Sequence, residues 1–126
     1  MSSHIYQTAM EMALNNGMIF HHAALLWRRG KIIRIGVNSN KVRTKYFRYF
    51  SNHYTNNKPG FAFSAHAEME VLDFVKNGDT IEVLRWYEDG SRTLSKPCVD
   101  CTNRLKKFNI RVRYTDEDGN WQYLKF

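Results

Sequence analysis

Two short motifs hold the residues best suited to chemistry. Ser64-Ala65-His66-Ala67-Glu68-Met69-Glu70 contains His-x-Glu, and Lys96-Pro97-Cys98-Val99-Asp100-Cys101 contains Pro-Cys-x-x-Cys. One imidazole and two thiolates supply three ligands for a tetrahedral zinc and leave the fourth position to water. Zinc lowers the pKa of its water to about 7, so hydroxide is available at neutral pH. A carboxylate two residues from the histidine can then handle that water's protons without being a ligand. The expectation is one Zn2+ per chain on His66, Cys98 and Cys101, with Glu68 as the proton shuttle.

Two other readings of the same residues stand beside this one. A Cys-x-x-Cys can be a redox pair, although that motif predicts no upstream His-x-Glu. A purely structural zinc would need a fourth protein ligand, which His4, His21, His22 or His53 could offer. A four-cysteine ribbon is excluded, because the chain has only two cysteines.

The elements that must position these residues follow from hydrophobic spacing. Residues 3–16 read as an amphipathic helix with Ile5, Ala9, Met12 and Ala13 on one face, Ser2 or Ser3 as cap and Asn16-Gly17 at its end. Met18 to Trp27 reads as a buried strand, Arg28-Arg29-Gly30-Lys31 as a turn, and Ile32 to Val37 as the second arm of a hairpin. From Ser64, a candidate N-cap, the spacing of Met69, Leu72 and Val75 predicts a helix closed by Asn77-Gly78, with His-x-Glu in its first turn. Thr80 to Trp86 is a strand with Ile81 and Val83 on one side. Pro97 opens another helix with Cys101, Leu105 and Phe108 inward. Ile110 to Thr115 alternates as a strand, Asp116 to Asn120 turns the chain, and Trp121 to Phe126 is the last strand. Both motifs thus open helices, where outward backbone N–H groups favour a thiolate. The order α-β-β-α-β-α-β-β is that of an α/β layered domain with a five-stranded mixed sheet flanked by helices.

The remaining stretch, residues 39–63, is long for a connection in a compact domain. It carries Lys41, Arg43, Lys45, Arg48 and Lys58 among seven tyrosines and phenylalanines, with no acidic residue. It reads as a functional loop or as a short helix around Val42–Phe50.

Composition narrows the class. At 126 residues and 43% apolar, the chain is expected to be one folded domain, 1–126. No apolar run approaches a membrane span, and Met1-Ser2-Ser3-His4 has no secretory character. A cytoplasmic location without membrane association is the expectation. The formal charge of +7 favours an anionic partner such as a nucleotide phosphate or a nucleic acid.

With the strand order around them, the two motifs resemble those of the cytidine deaminase superfamily. The resemblance implies a three-layer α/β/α cytidine-deaminase-like fold. On it, His66, Cys98 and Cys101 are the zinc ligands and Glu68 the proton shuttle. The backbone of Ala67 would contact the base edge, and Asn38, in Gly36-Val37-Asn38, would hold the substrate sugar or nucleotide. Free-nucleoside cytidine deaminases usually carry cysteine where this chain has His66. In this respect the chain is similar to deoxycytidylate, tRNA adenosine and polynucleotide deaminases, and His66-Ala67-Glu68-Met69 looks most like the deoxycytidylate and polynucleotide groups. Thr93-Leu94-Ser95-Lys96-Pro97-Cys98 resembles the Thr-Leu-x-Pro-Cys of the nucleotide and tRNA groups, with one residue extra. The five-residue turn after Thr115 instead implies a C-terminal antiparallel β-hairpin, a nucleoside-enzyme feature. The family's sites often borrow residues from neighbouring copies, which implies a homo-oligomer.

The resemblance leaves two substrate classes. One is a free cytosine nucleoside or nucleotide, with its phosphate on the basic loop. The other is cytosine, or less readily adenine, in single-stranded DNA or RNA, with aromatics stacking bases and Arg43, Lys45, Arg48 and Lys96 tracking the backbone.

Overall fold

The computed structural model of the chain describes residues 2–39 and 66–126. The basic aromatic stretch from residue 40 onward, with Arg43, Lys45 and Arg48, and the cap candidate Ser64 lie outside the described residues. Among the described residues there are three helices and five strands, in the order expected from sequence: α1 (Ser2–Leu14), β1 (His21–Arg28), β2 (Lys31–Val37), α2 (Ala67–Leu72), β3 (Thr80–Trp86), α3 (Val99–Leu105), β4 (Arg111–Thr115) and β5 (Trp121–Tyr123). They form an α/β fold around one open mixed sheet, ordered β2-β1-β3-β4-β5. β1 runs antiparallel to both β2 and β3, β3 parallel to β4, and β4 antiparallel to β5.

Strand periodicity divides the core. Successive side chains leave opposite faces of a strand, so Ala24 and Leu26 join one cluster and Ala23 and Leu25 another. The first cluster adds α2, Ile81, Val83, Val112 and the α3 residues Cys101 and Leu105. The second is built on α1, with Leu84 and Trp86 from β3.

The β1–β2 turn is two residues, Arg29 (φ 53°) and Gly30 (φ 76°). Positive φ at both central positions gives the twist that an antiparallel pair needs, with Arg28 opposite Lys31.

Several elements are shorter than their hydrophobic pattern, and polar side chains account for much of this. β1 begins only at His21, because the Asn16 and Asn38 amides take backbone groups of residues 18–20 that a strand would have used. Asn16 Oδ1 accepts from the Met18 N–H at 3.1 Å, and both amide nitrogens donate to the Phe20 carbonyl at 3.0 Å. Ile19 and Phe20 are consequently exposed. α2 ends at Leu72 instead of reaching Asn77. Arg28 Nη2 donates to the Phe74 carbonyl and the Asp79 carboxylate accepts from the Lys76 N–H, each at 2.8 Å, diverting the chain toward β3. On α1, Met12 is 40% exposed, while Tyr6 and Met10 pack against the core in its place. Phe108 lies beyond the end of α3 and is exposed, and β5 is three residues long.

Candidate metal centre

The three expected ligands come together. His66, Cys98 and Cys101 each offer one donor atom, and these atoms all lie within 4.8 Å of one another. His66 Nδ1 is 3.7 Å from Cys98 Sγ and 3.3 Å from Cys101 Sγ. A half-buried imidazole nitrogen with two sulfurs is the donor set of a zinc site. No fourth His, Cys, Asp or Glu belongs to the cluster among the described residues. His21 and His22 lie in β1 outside it, His4 in α1, and His53 outside the described residues.

Each motif sits at a helix boundary, and each helix starts two residues later than the sequence expectation. His66 is the N-cap of α2 with an extended backbone, not a first-turn residue. Cys98, not Pro97, is the hinge into α3. Its sulfur accepts the Cys101 N–H at 3.4 Å, so this ligand also caps the helix.

What carries Cys98 into place is a hydroxyl network in the strap before it. Thr93 N–H donates to the Arg85 carbonyl at 3.0 Å and Ser95 N–H to the Thr115 carbonyl at 2.9 Å. The buried Ser95 hydroxyl donates to the Val83 carbonyl at 2.7 Å and accepts from the Thr115 N–H at 2.7 Å. Thr115 Oγ1 in turn donates to the Thr93 carbonyl at 2.6 Å. The strap is thereby tied to β3 and β4 three residues before Cys98. Lys96 between them is exposed. The alternation of β4 suggested an outward Thr115; its full burial reflects this network.

α2 reaches the sheet closely because β2 carries a glycine. A Cβ on Gly36 would lie 2.5 Å from Glu70 Cβ and 2.9 Å from the Ala67 carbonyl oxygen. Ala67 and Glu68 are both buried at this contact. Asn38, also buried, is held in place by its neighbours. Its Oδ1 accepts from the His22 N–H and from Asn16 Nδ2, each at 2.8 Å.

Burial and proximity shape the protonation of the cluster. Cys98 is lowered to about 4, by the Cys101 thiol first and by His66 in support. Cys101 is pushed up, because it donates to Cys98 and is buried. Between them the pair holds one easily formed thiolate. Glu68 is raised above its ordinary value by desolvation, which the neighbouring His66 partly offsets. His66 is itself raised, because its bond to Cys98 and the nearby Glu68 outweigh the opposing effect of burial.

At this end of the sheet, Arg85 was not singled out in the sequence, and His22 only as a possible fourth ligand. Arg85 and His22 are directly paired across β1 and β3. Strand alternation puts them on the face of Ala24 and Val83, the face that receives α2 and α3. The usable signal was the spacing Ile81, Val83, Arg85.

No protein-family model matches the chain, and no curated protein matches it in sequence.

Proposed function

We propose that the protein is a zinc-dependent hydrolytic deaminase that converts cytosine to uracil in a free (deoxy)cytidine nucleotide or nucleoside. The observation that carries this reading is the buried carboxylate of Glu68 two residues from His66, beside a compact His-Cys-Cys cluster. His66, Cys98 and Cys101 would hold the ion, which when bound supplies an acidified water. Glu68 would carry one proton from water to the ring nitrogen and a second from the new C4 hydroxyl to the departing amine, so that water is consumed, ammonia leaves and a carbonyl remains at C4. A raised proton affinity suits a group that must both accept and give back a proton near neutral pH. The fold implied by the resemblance, three layers with a C-terminal hairpin, agrees with core clusters on both sheet faces and an antiparallel β4–β5 pair.

The test offers deoxycytidine, deoxycytidylate and a cytosine-bearing oligonucleotide side by side to zinc-loaded protein, with Glu68→Ala as control. Uracil from a monomer with the native protein alone is the expected result. Uracil from none of the three, or equally from the variant, overturns the reading. Turnover confined to the oligonucleotide, falling steeply with salt as phosphate contacts release counterions, would transfer the chemistry to single-stranded nucleic acid. The same reading carries an intracellular homo-oligomer as its setting. Among the described residues no helix is long and apolar enough to cross a membrane.

A further inference from the structure

Beside the metal cluster is a cationic, aromatic corner on the same sheet face. Arg85, the next-to-last residue of β3, is half-buried and pairs with His22 across the two strands. Its guanidinium lies 5.0 Å from the centre of the Phe20 ring. The Phe20 ring also meets the His22 ring, edge to face, at 6.5 Å. The pair stands two residues along its strands from Ala24 and Val83, on the same face, and Ala24 and Val83 share a buried cluster with the ligand Cys101. Arg28 pairs with Asp79 and Arg113 with Glu82, whereas Arg85 faces the Phe20 ring.

We propose that Arg85, flanked by Phe20 and His22, is the phosphate-accepting edge of the metal pocket, so that the substrate is a phosphorylated cytosine nucleotide and not a free nucleoside. The inference rests on the deaminase reading for the identity of the base. Arginine presents a planar fork of donors suited to two phosphate oxygens at once. The Phe20 ring beside the guanidinium restricts it before a ligand arrives, which lessens the side-chain ordering needed on binding. His22 is lowered to about 4 by burial, Arg85 and His66, so at neutral pH it is an uncharged hydrogen-bonding group. Arg85 is then the fixed charge of the corner. The half-exposed Phe20 leaves one flank apolar, suited to the sugar between base and phosphate.

The phosphate could belong to a monomer or to a strand, and the experiment separates the two. Calorimetric affinities for deoxycytidine, deoxycytidylate and a short cytosine-bearing oligonucleotide would be measured on zinc-loaded Glu68→Gln protein, with and without Arg85→Ala. The expected result is a deoxycytidylate affinity at least tenfold above that of deoxycytidine, an advantage that collapses in Arg85→Ala and is partly restored in Arg85→Lys. A loss confined to the oligonucleotide supports the phosphate contact and assigns it to a strand. An unchanged ratio of phosphorylated to unphosphorylated ligand overturns the proposal. Arg85→Gln keeps much of the stem on Phe20 while removing the charge, and replaces the alanine variant should that one not fold. Turnover by the native protein is scored separately. Absent deamination with an intact Arg85-dependent affinity difference would count against the deaminase reading alone.

Discussion

The two faces of the sheet each bury a glutamate, and they treat it differently. Glu68, on the face of α2 and α3, is 5% exposed. Desolvation raises its proton affinity, and the charge that opposes this is His66. Glu82 lies on the α1 face in mid-strand and is 3% exposed. Its Oε1 accepts from the Tyr6 hydroxyl at 2.7 Å and the Trp27 indole N–H at 2.6 Å, and its Oε2 from Arg113. Arg113 in turn lies 4.0 Å from the centre of the Trp121 ring. Equal burial therefore does not make equal chemistry. Glu82 is surrounded by donors that fix it as an acceptor. Glu68 instead has a raised proton affinity beside a set of residues able to hold a metal.

The sharpest way to break this comparison is to neutralise each carboxylate. Glu68→Gln should lower deamination by about 10²–10⁴-fold, the usual worth of a positioned acid–base group, while thermal stability holds or rises because a buried charge is removed. Turnover on deoxycytidylate and a melting curve check both halves. A variant that keeps its activity would remove Glu68 from the chemistry.

Glu82→Ala should do the reverse. It leaves Arg113 partly desolvated without its anion and the Tyr6 and Trp27 donors without an acceptor. About 3–5 kcal/mol of stability should be lost, as when one partner of a buried pair is removed. Urea unfolding measures this, and zinc content of the folded fraction should be retained. Lost zinc binding at native stability would mean that the two faces are coupled more tightly than their separate cores suggest.

The sequence contrast between these glutamates is misleading, and the reason is physical. Glu68 declares itself through spacing to His66 and the cysteine pair, because metal ligation imposes residue types at short, fixed separations. The order of elements is equally legible, since periodicity records which side of an element is buried. Glu82, between Ile81 and Val83, reads as a solvent-facing residue of a half-buried strand. Its partners come from α1, β1 and β4, and only the folded sheet unites them. The same holds for Ser95 and Thr115, whose bonds depend on where the strap crosses β3 and β4. Helix ends were misplaced for a related reason: Arg28 stops the path beyond α2 from 46 residues away in the chain.

Gly36→Ala probes the metal face alone. The added methyl would sit 2.5 Å from Glu70 Cβ and 2.9 Å from a backbone oxygen, so α2 must move. Overpacking of this kind costs about 1–3 kcal/mol. Because His66 caps α2, zinc affinity, read by chelator competition, should weaken together with stability. A stability loss with unchanged zinc affinity would show that the cluster tolerates a shifted helix.

The smallest effect concerns Asp79, which helps end the path from α2 into β3. Its carboxylate accepts from Arg28 Nε and Nη2, each at 2.8 Å, and from the Lys76 N–H. The Arg28 bonds hold its pKa below the ordinary 3.8. A carboxylate depressed by folding stabilises the native state fully above its unfolded pKa, and that stabilisation disappears as pH falls through the folded value. Native protein should therefore melt at steadily lower temperature as pH drops below about 5. Asp79→Asn should melt a few degrees lower at pH 7 and respond less to acid, so that the two curves converge at low pH. Arg28 is partly exposed, and the solvent screening it receives keeps this difference modest. Curves that stay parallel down to acid would place the stabilisation in the shape of the turn, since an uncharged side chain would then serve as well as the ion pair.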